Sequence, residues 1–226
     1  MFKVRFLAIS PADGGSERNS MKKIIALGGP KKSGKSGSRE GIKGAIKLIP
    51  GAPYPYFVTG CPDGEPAGFQ EMVAVDPAAA RKLKEEYKYS LGGFSKGFVD
   101  RIVDSVRGLA DGTEVQWAAV DLGGVTSPEN RRICSAGVTH AVLIVGDDPE
   151  TGEKWTSRIL PWRKFFAELG IPVVAEIHSD YRGKEDKVDG VGLDGIFRGS
   201  VHYLERGENF ASRPTLRALA EFLVRF

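Results

Sequence analysis

Cysteine is scarce in this sequence. Cys61 and Cys134 are the two among 226 residues, too few for a disulfide framework and without metal-ligand spacing, which points to a reduced, cytoplasmic interior. Long hydrophobic runs are also missing. No stretch approaches the roughly 18 to 20 apolar residues of a membrane helix, and no signal-peptide layout opens the chain. Nor is there a large excess of charge: 32 basic against 29 acidic side chains give +3, which neither requires nor excludes nucleic-acid binding. Internal repeats and low-complexity tracts are absent.

What remains is ordinary globular material. Apolar residues make up 41% and charged residues 27%, which sets aside disordered and fibrous classes. The length suits one domain. Glycine is abundant, with 29 residues gathered in short runs, as in tight turns between strands and helices. Residues 1–20 hold a brief apolar start and then loop composition. Met21 opens MKKIIALGG, so the expectation is an N-terminal extension over 1–20 and one domain over 21–226. An extra edge strand is the competing reading of the extension.

From Met21 strands and helices alternate. Strands are predicted at Lys22–Leu27, Tyr56–Gly60, Val115–Val120, Ala141–Val145 and Pro172–Ile177, with a less regular sixth within 191–204. Helices are predicted over 36–48, after Asp76-Pro77, after Ser95, over 127–135, over 152–169 and over Thr215–Phe226. This rhythm predicts an α/β class: a three-layer α/β/α sandwich on a mainly parallel five- or six-stranded sheet.

One motif dominates. Gly29-Pro30-Lys31-Lys32-Ser33-Gly34-Lys35-Ser36 matches G-x-x-x-x-G-K-[ST], with an apolar strand before it and a helical pattern after it. Such a loop curls its backbone N–H groups around phosphate oxygens, and the helix behind it adds partial positive charge. Gly29 to Gly37 are therefore the expected nucleotide cradle, with Lys35 on the β- and γ-phosphates and Ser36 on Mg²⁺. Asp121, at the tip of the third predicted strand, is the expected second contributor to the Mg²⁺ shell. No glutamate follows it, so the usual strand-borne base is missing. Glu129 is a candidate from the adjoining loop, although such a glutamate more often sits simply in the first turn of the 127–135 helix as part of a Ser127/Asn130 cap. Asp63 and Glu65 follow the second strand, where an acceptor, a metal contact or a base would sit; a Pro-Asp-Gly turn is the plain alternative.

Other polar residues carry less. Asp147, Asp148, His178 and Asp180 follow later strands and could meet base or ribose, or serve as turn residues. Arg101, Arg131, Arg132 and Arg158 are undifferentiated candidates for γ-phosphate contact. Trp155, Trp162, Phe165 and Phe166 have helical spacing and read as core. No Asn-Lys-x-Asp motif for guanine follows the later strands, which favours ATP over GTP.

The segments IIALGGPKKSGKS, YFVTGCPDGE, GFSKGFVDRIVD and WAAVDLGGVTSPEN together resemble the P-loop NTPase (AAA-type) domain that accompanies the CRISPR-associated ring nuclease of type III systems. The likeness spans about residues 22–150 and thins beyond. It implies an ATP-binding accessory domain of antiviral defence. Twenty leading residues are too few for the nuclease module, so a ring nuclease or effector would act in trans and messenger cleavage is not carried over.

Three functions stay open: an Mg²⁺-dependent ATPase working with such a partner, a small-molecule or nucleotide kinase with Arg158, Arg163 and Lys164 as lid cations, and a nucleotide-switched binding protein without turnover. Phosphoryl transfer, or its arrested form, is common to all three.

Overall fold

Alternation along the central strands divides the molecule into two cores. The computed structural model describes residues 22–62, 75–91, 94–204 and 208–226. Strand β1 (Lys23–Gly28) sends Ile24 and Ala26 to one face and Ile25 and Leu27 to the other, all buried. The same period of two governs β3 (Trp117–Leu122) and β4 (His140–Gly146), whose apolar side chains are buried on both faces. Strands covered on both sides need continuous apolar sequence, the origin of the IIAL and AVLIV runs.

Helices α1 (Lys35–Lys47) and α7 (Pro214–Arg225) cover the face of Ile25 and Leu27, through Ile42, Ile46, Leu216 and Leu219. Helices α3 (Lys96–Asp111), α4 (Pro128–Cys134) and α6 (Leu160–Glu168) cover the opposite face with Phe98, Val103, Ile133 and Phe166. The other elements are β2 (Tyr56–Gly60), α2 (Pro77–Leu91), the single turn α5 (Trp155–Arg158), β5 (Val173–Asp180), β6 (Lys187–Val191) and β7 (Phe197–His202). Helix, sheet and helix layers make the expected α/β/α sandwich.

Among the described residues the sheet has seven strands, in the order β2-β3-β1-β4-β5-β7-β6. All neighbours pair in parallel except β6 with β7. Even the upper expectation of six strands falls one short, because β6 (KVDGV) is a mostly exposed edge strand without an apolar run. The chain leaves β1 for β2, returns to lay β3 directly beside β1, and places β4 on the other side. Connections thus diverge at β1, and such a point opens a crevice at the carboxyl ends of the strands.

Local chemistry sets the helix starts. Asp76 Oδ1 accepts from the Ala78 and Ala79 amides at 3.0 and 2.9 Å, with Pro77 in the first helical position, where its missing N–H costs nothing. Ser95 and Ser127 cap α3 and α4 by accepting from Phe98 N and Asn130 N, each at 3.3 Å. The tryptophan-bearing helix expected over 152–169 is two helices meeting at Ile159. Pro161 has no N–H to continue the α5 ladder, so the chain bends and restarts as α6. The expected extension over 1–20 lies outside the described residues.

Candidate functional site

The phosphate-loop motif forms the floor of a cavity of about 670 Å³ at the carboxyl ends of β1, β2 and β3. Residues Lys31 to Gly37 line it, together with Cys61 and Pro62 after β2, Asp121 to Val125 after β3, and Ser127 and Glu129 at the start of α4. Phe94, Leu204 and Phe210 complete the wall. The cavity is where parallel sheets place their ligands.

The loop's shape follows from its residues. Gly29 has φ of 143°, and a Cβ there would stand 1.9 Å from the Ile144 carbonyl oxygen. Only glycine fits a chain passing so close to β4. Lys32 and Gly34 take left-handed φ values of 62° and 66°, which curl the loop around its own amides. Gly34, at the N-cap of α1, has no side chain to cap the helix, so the first turn of α1 opens toward the cavity with the positive end of its dipole. Lys35 reaches back over the loop, its Nζ donating to the carbonyls of Gly29 at 2.9 Å and Pro30 at 3.0 Å.

Two buried groups hold this loop from behind. Ser33 Oγ accepts from the Gly146 amide at 3.1 Å. Arg158 donates to the Lys31 carbonyl at 2.9 Å and to the Gly146 carbonyl, and pairs with Asp148 at 3.4 Å. The opposite bank is equally ordered. Asn130 Nδ2 donates to the carbonyls of Gly123 at 3.0 Å and Val125 at 2.7 Å. A Cβ on Gly124 would stand 2.6 Å from the Lys31 amide nitrogen, so the Gly123-Gly124 turn seats directly on the phosphate loop.

Asp121 belongs to β3 itself, in register with Leu27 and Thr59. Trp117 and Ala119 face α1, and the period of two puts Asp121 on that face as well. There it meets Arg39 of α1, whose Nη1 donates to Asp121 Oδ2 at 3.1 Å, both side chains being buried. Sequence reading passed over Arg39, yet it carries a signal: Arg39, Ile42 and Ile46 follow i, i+3, i+7, so a cation sits in an apolar helical stripe.

Glu129 stands at the cavity in the first turn of α4, with its side chain solvated. A hydrogen bond with Ser127, then one with its own backbone amide, hold its carboxyl below the usual range. A carboxylate so stabilised is a weaker base at neutral pH than an ordinary glutamate. Asp63 and Glu65 lie outside the described residues; the chain is described up to Pro62, at the cavity.

The remaining candidates are engaged elsewhere. Arg131 pairs with Glu168 at 2.6 Å and Arg132 with Asp100 at 2.7 Å. Arg163 clamps the buried Glu176 through two bonds of 2.6 Å, and Arg158 is the buried brace already described. The expected lid of Arg158, Arg163 and Lys164 is therefore corrected: two of the three are fixed by structural pairs, and none lines the cavity. Asp147 accepts from the Trp155 amide at 2.8 Å and from Lys154 at 2.9 Å. His178 stacks on Trp155 with centroids 4.8 Å apart, and Asp180 accepts from the Arg182 amide at 3.0 Å in a turn. Trp162, Phe165 and Phe166 are core, as their spacing predicts.

No protein-family model and no curated protein sequence matches the chain. Solved structures do. A plasmid partition protein from Borrelia burgdorferi superposes with a TM-score of 0.53 at 9% identity, over 90% of this chain and 96% of that one. A further structure of a Borrelia burgdorferi plasmid partition protein, bound to AMPPNP, matches with a TM-score of 0.47 at 9% identity over 73% of this chain and 78% of that one. The signal recognition particle receptor FtsY from Elizabethkingia anophelis, in complex with GDP, matches at 0.41 and 14% over 95% and 58%. The chain thus shares its overall α/β fold with the plasmid partition protein it matches at 0.53. That match brings no link to a ring nuclease or a CRISPR component, so the partner that the sequence resemblance implies gains no support from it. Among the described residues, no helix is long and apolar enough to cross a membrane.

Proposed function

We propose that this chain binds a nucleoside triphosphate, ATP by preference, with Mg²⁺ at the phosphate-loop cavity. The observation that carries the reading is the convergence of Lys35, Ser36 and Asp121 on one cavity with the curled loop. The loop amides and Lys35 would hold the β- and γ-phosphates, Lys35 exchanging its carbonyl acceptors for phosphate oxygens. Leu204 and Phe210, which pack on Gly34 and Gly37, offer an apolar face for the base.

Ser36 Oγ and the Asp121 carboxylate are hard oxygen donors at that cavity, the donor chemistry Mg²⁺ takes. Held there, Mg²⁺ would supply positive charge to offset the charge that develops on the phosphates. Asp63 and Glu65, directly after Pro62, are the next acids we assign to the site.

Turnover is slow in this reading. Glu129 is a weaker base than an ordinary glutamate, and no carboxylate directly follows Asp121, so fast turnover would need Asp63, Glu65 or a partner to supply the base. The site therefore supports a nucleotide-dependent switch, or an ATPase that a partner completes, better than a kinase. The fold and site say nothing in favour of a ring nuclease as that partner.

The test is calorimetric titration of ATP, GTP and ADP with and without Mg²⁺, followed by phosphate release on the same samples. Mg²⁺-dependent ATP binding with slow release supports the reading. Failure of every nucleotide to bind contradicts it, and fast release without a partner contradicts the switch.

A further inference from the structure

Arg39 lies one helical turn beyond Ser36 and does not line the cavity, yet it touches the acid that does. Its side chain is 2% exposed and that of Asp121 3%. Beside the 3.1 Å bond to Asp121, its Nε donates to Glu40 Oε1 at 2.9 Å, and Glu40 in turn lies 3.6 Å from Lys43 Nζ. Charges of alternating sign thus run outward from Asp121 along α1. A buried carboxylate needs a compensating partner, and Arg39 supplies that partner from within the fold.

The charge inventory of the site follows from this. Among the described residues, Lys31, Lys32 and Lys35 at the cavity and Arg39 behind it stand against Asp121 and Glu129. Among the described residues no group of three or more His, Cys, Asp or Glu side chains could hold a metal ion. Cation sites made wholly by protein usually gather several carboxylates. The described part of this one gathers cations, with its buried acid already paired to Arg39.

We propose that Arg39 is a positioning residue that makes divalent-metal binding conditional on the nucleotide. It fixes the Asp121 carboxylate and cancels its charge, so the protein alone does not attract the ion. The triphosphate supplies the missing negative charge, and metal and nucleotide enter together. This rests on the nucleotide reading above.

The test is a Mn²⁺ titration of the full chain followed by electron paramagnetic resonance, Mn²⁺ replacing Mg²⁺ at oxygen sites. It is run without nucleotide and with a non-hydrolysable ATP analogue. Wild type should take up Mn²⁺ at least about 100-fold more tightly with the analogue. Arg39→Gln, which keeps a donor but removes the charge, should bind Mn²⁺ without nucleotide about ten-fold or more tightly than wild type. Arg39→Lys should behave as wild type, and adding Asp121→Asn to Arg39→Gln should remove the gain. Tight Mn²⁺ binding by nucleotide-free wild type overturns the inference, even if Arg39→Gln does not fold. So does a folded Arg39→Gln with unchanged Mn²⁺ affinity while the analogue still binds. If the analogue fails to bind wild type, the nucleotide reading itself falls.

Discussion

Arg158 donates to the carbonyl oxygen of Lys31 at 2.9 Å, across 127 residues of sequence. The bond ties the turn after β4 to the crown of the phosphate loop, and the same guanidinium also reaches the Gly146 carbonyl. Arg158→Met would leave both carbonyls without this donor. The expected cost is about 2 to 4 kcal/mol of stability, from two charge-assisted hydrogen bonds lost in a buried setting. Nucleotide affinity should fall with it, since the loop loses its brace. Denaturant unfolding reads the first effect and calorimetry the second; an unchanged midpoint would remove Arg158 from this role.

Gly29→Ala tests the loop's path. The new methyl would meet the Ile144 carbonyl oxygen at 1.9 Å, and backbone cannot yield as a flexible side chain does. The loop must move away from β4, at a cost of about 2 to 4 kcal/mol. Thermal unfolding should show the loss, and nucleotide binding should weaken. Wild-type stability in this variant would mean that the close approach is relaxed in solution.

Acid should destabilise the protein in two separate windows. Burial pushes the His178 imidazole below its ordinary 6.5, despite Asp180 and Asp147 drawing it up. Burial, aided by Lys23, does the same to His140. In each case the unfolded chain takes up the proton first, so stability is full above 6.5 and declines as pH falls below it. Asp186, held low against its burial by hydrogen bonds with Arg213 and His202, contributes above 3.8 and is lost only at lower pH. Urea midpoints between pH 5 and 7.5 should therefore fall with pH, and His140→Gln with His178→Gln should flatten the slope. A flat wild-type profile would contradict the assignment.

The two thiols should react differently. Burial raises the Cys134 thiol to about 12, whereas Cys61 lines the cavity and is partly exposed. Iodoacetamide should label Cys61 and spare Cys134 in the native protein. Mg–ATP should slow labelling of Cys61 several-fold by occupying the cavity. Peptide mass spectrometry reads both; equal labelling with and without nucleotide would place the nucleotide elsewhere.

The parts legible in the sequence are those built by neighbours in the chain. IIALGG before the loop motif, Asp76-Pro77, Ser95 and Ser127 carry their own structural chemistry, and the structure places strand, loop and caps there. Asp121 and the loop come together because β3 lies beside β1, an order that no local pattern contains. Arg39 is half-legible: its place in the Ile42–Ile46 stripe marks it as buried, but the partner is 82 residues away. Arg158 is read as a loose cation until β4 brings the loop to it. The edge strand β6 is missed because its stability comes from pairing with β7 rather than from apolar content.

The central claim is that the cavity over the phosphate loop is a triphosphate site held by Lys35. Its most direct test is calorimetric titration of Mg–ATP into wild type and Lys35→Ala. Loss of one charge-assisted contact, worth about 1.5 to 3 kcal/mol, should weaken affinity about ten-fold or more while the fold persists. Equal Mg–ATP affinity in the two proteins would contradict the assignment of the loop.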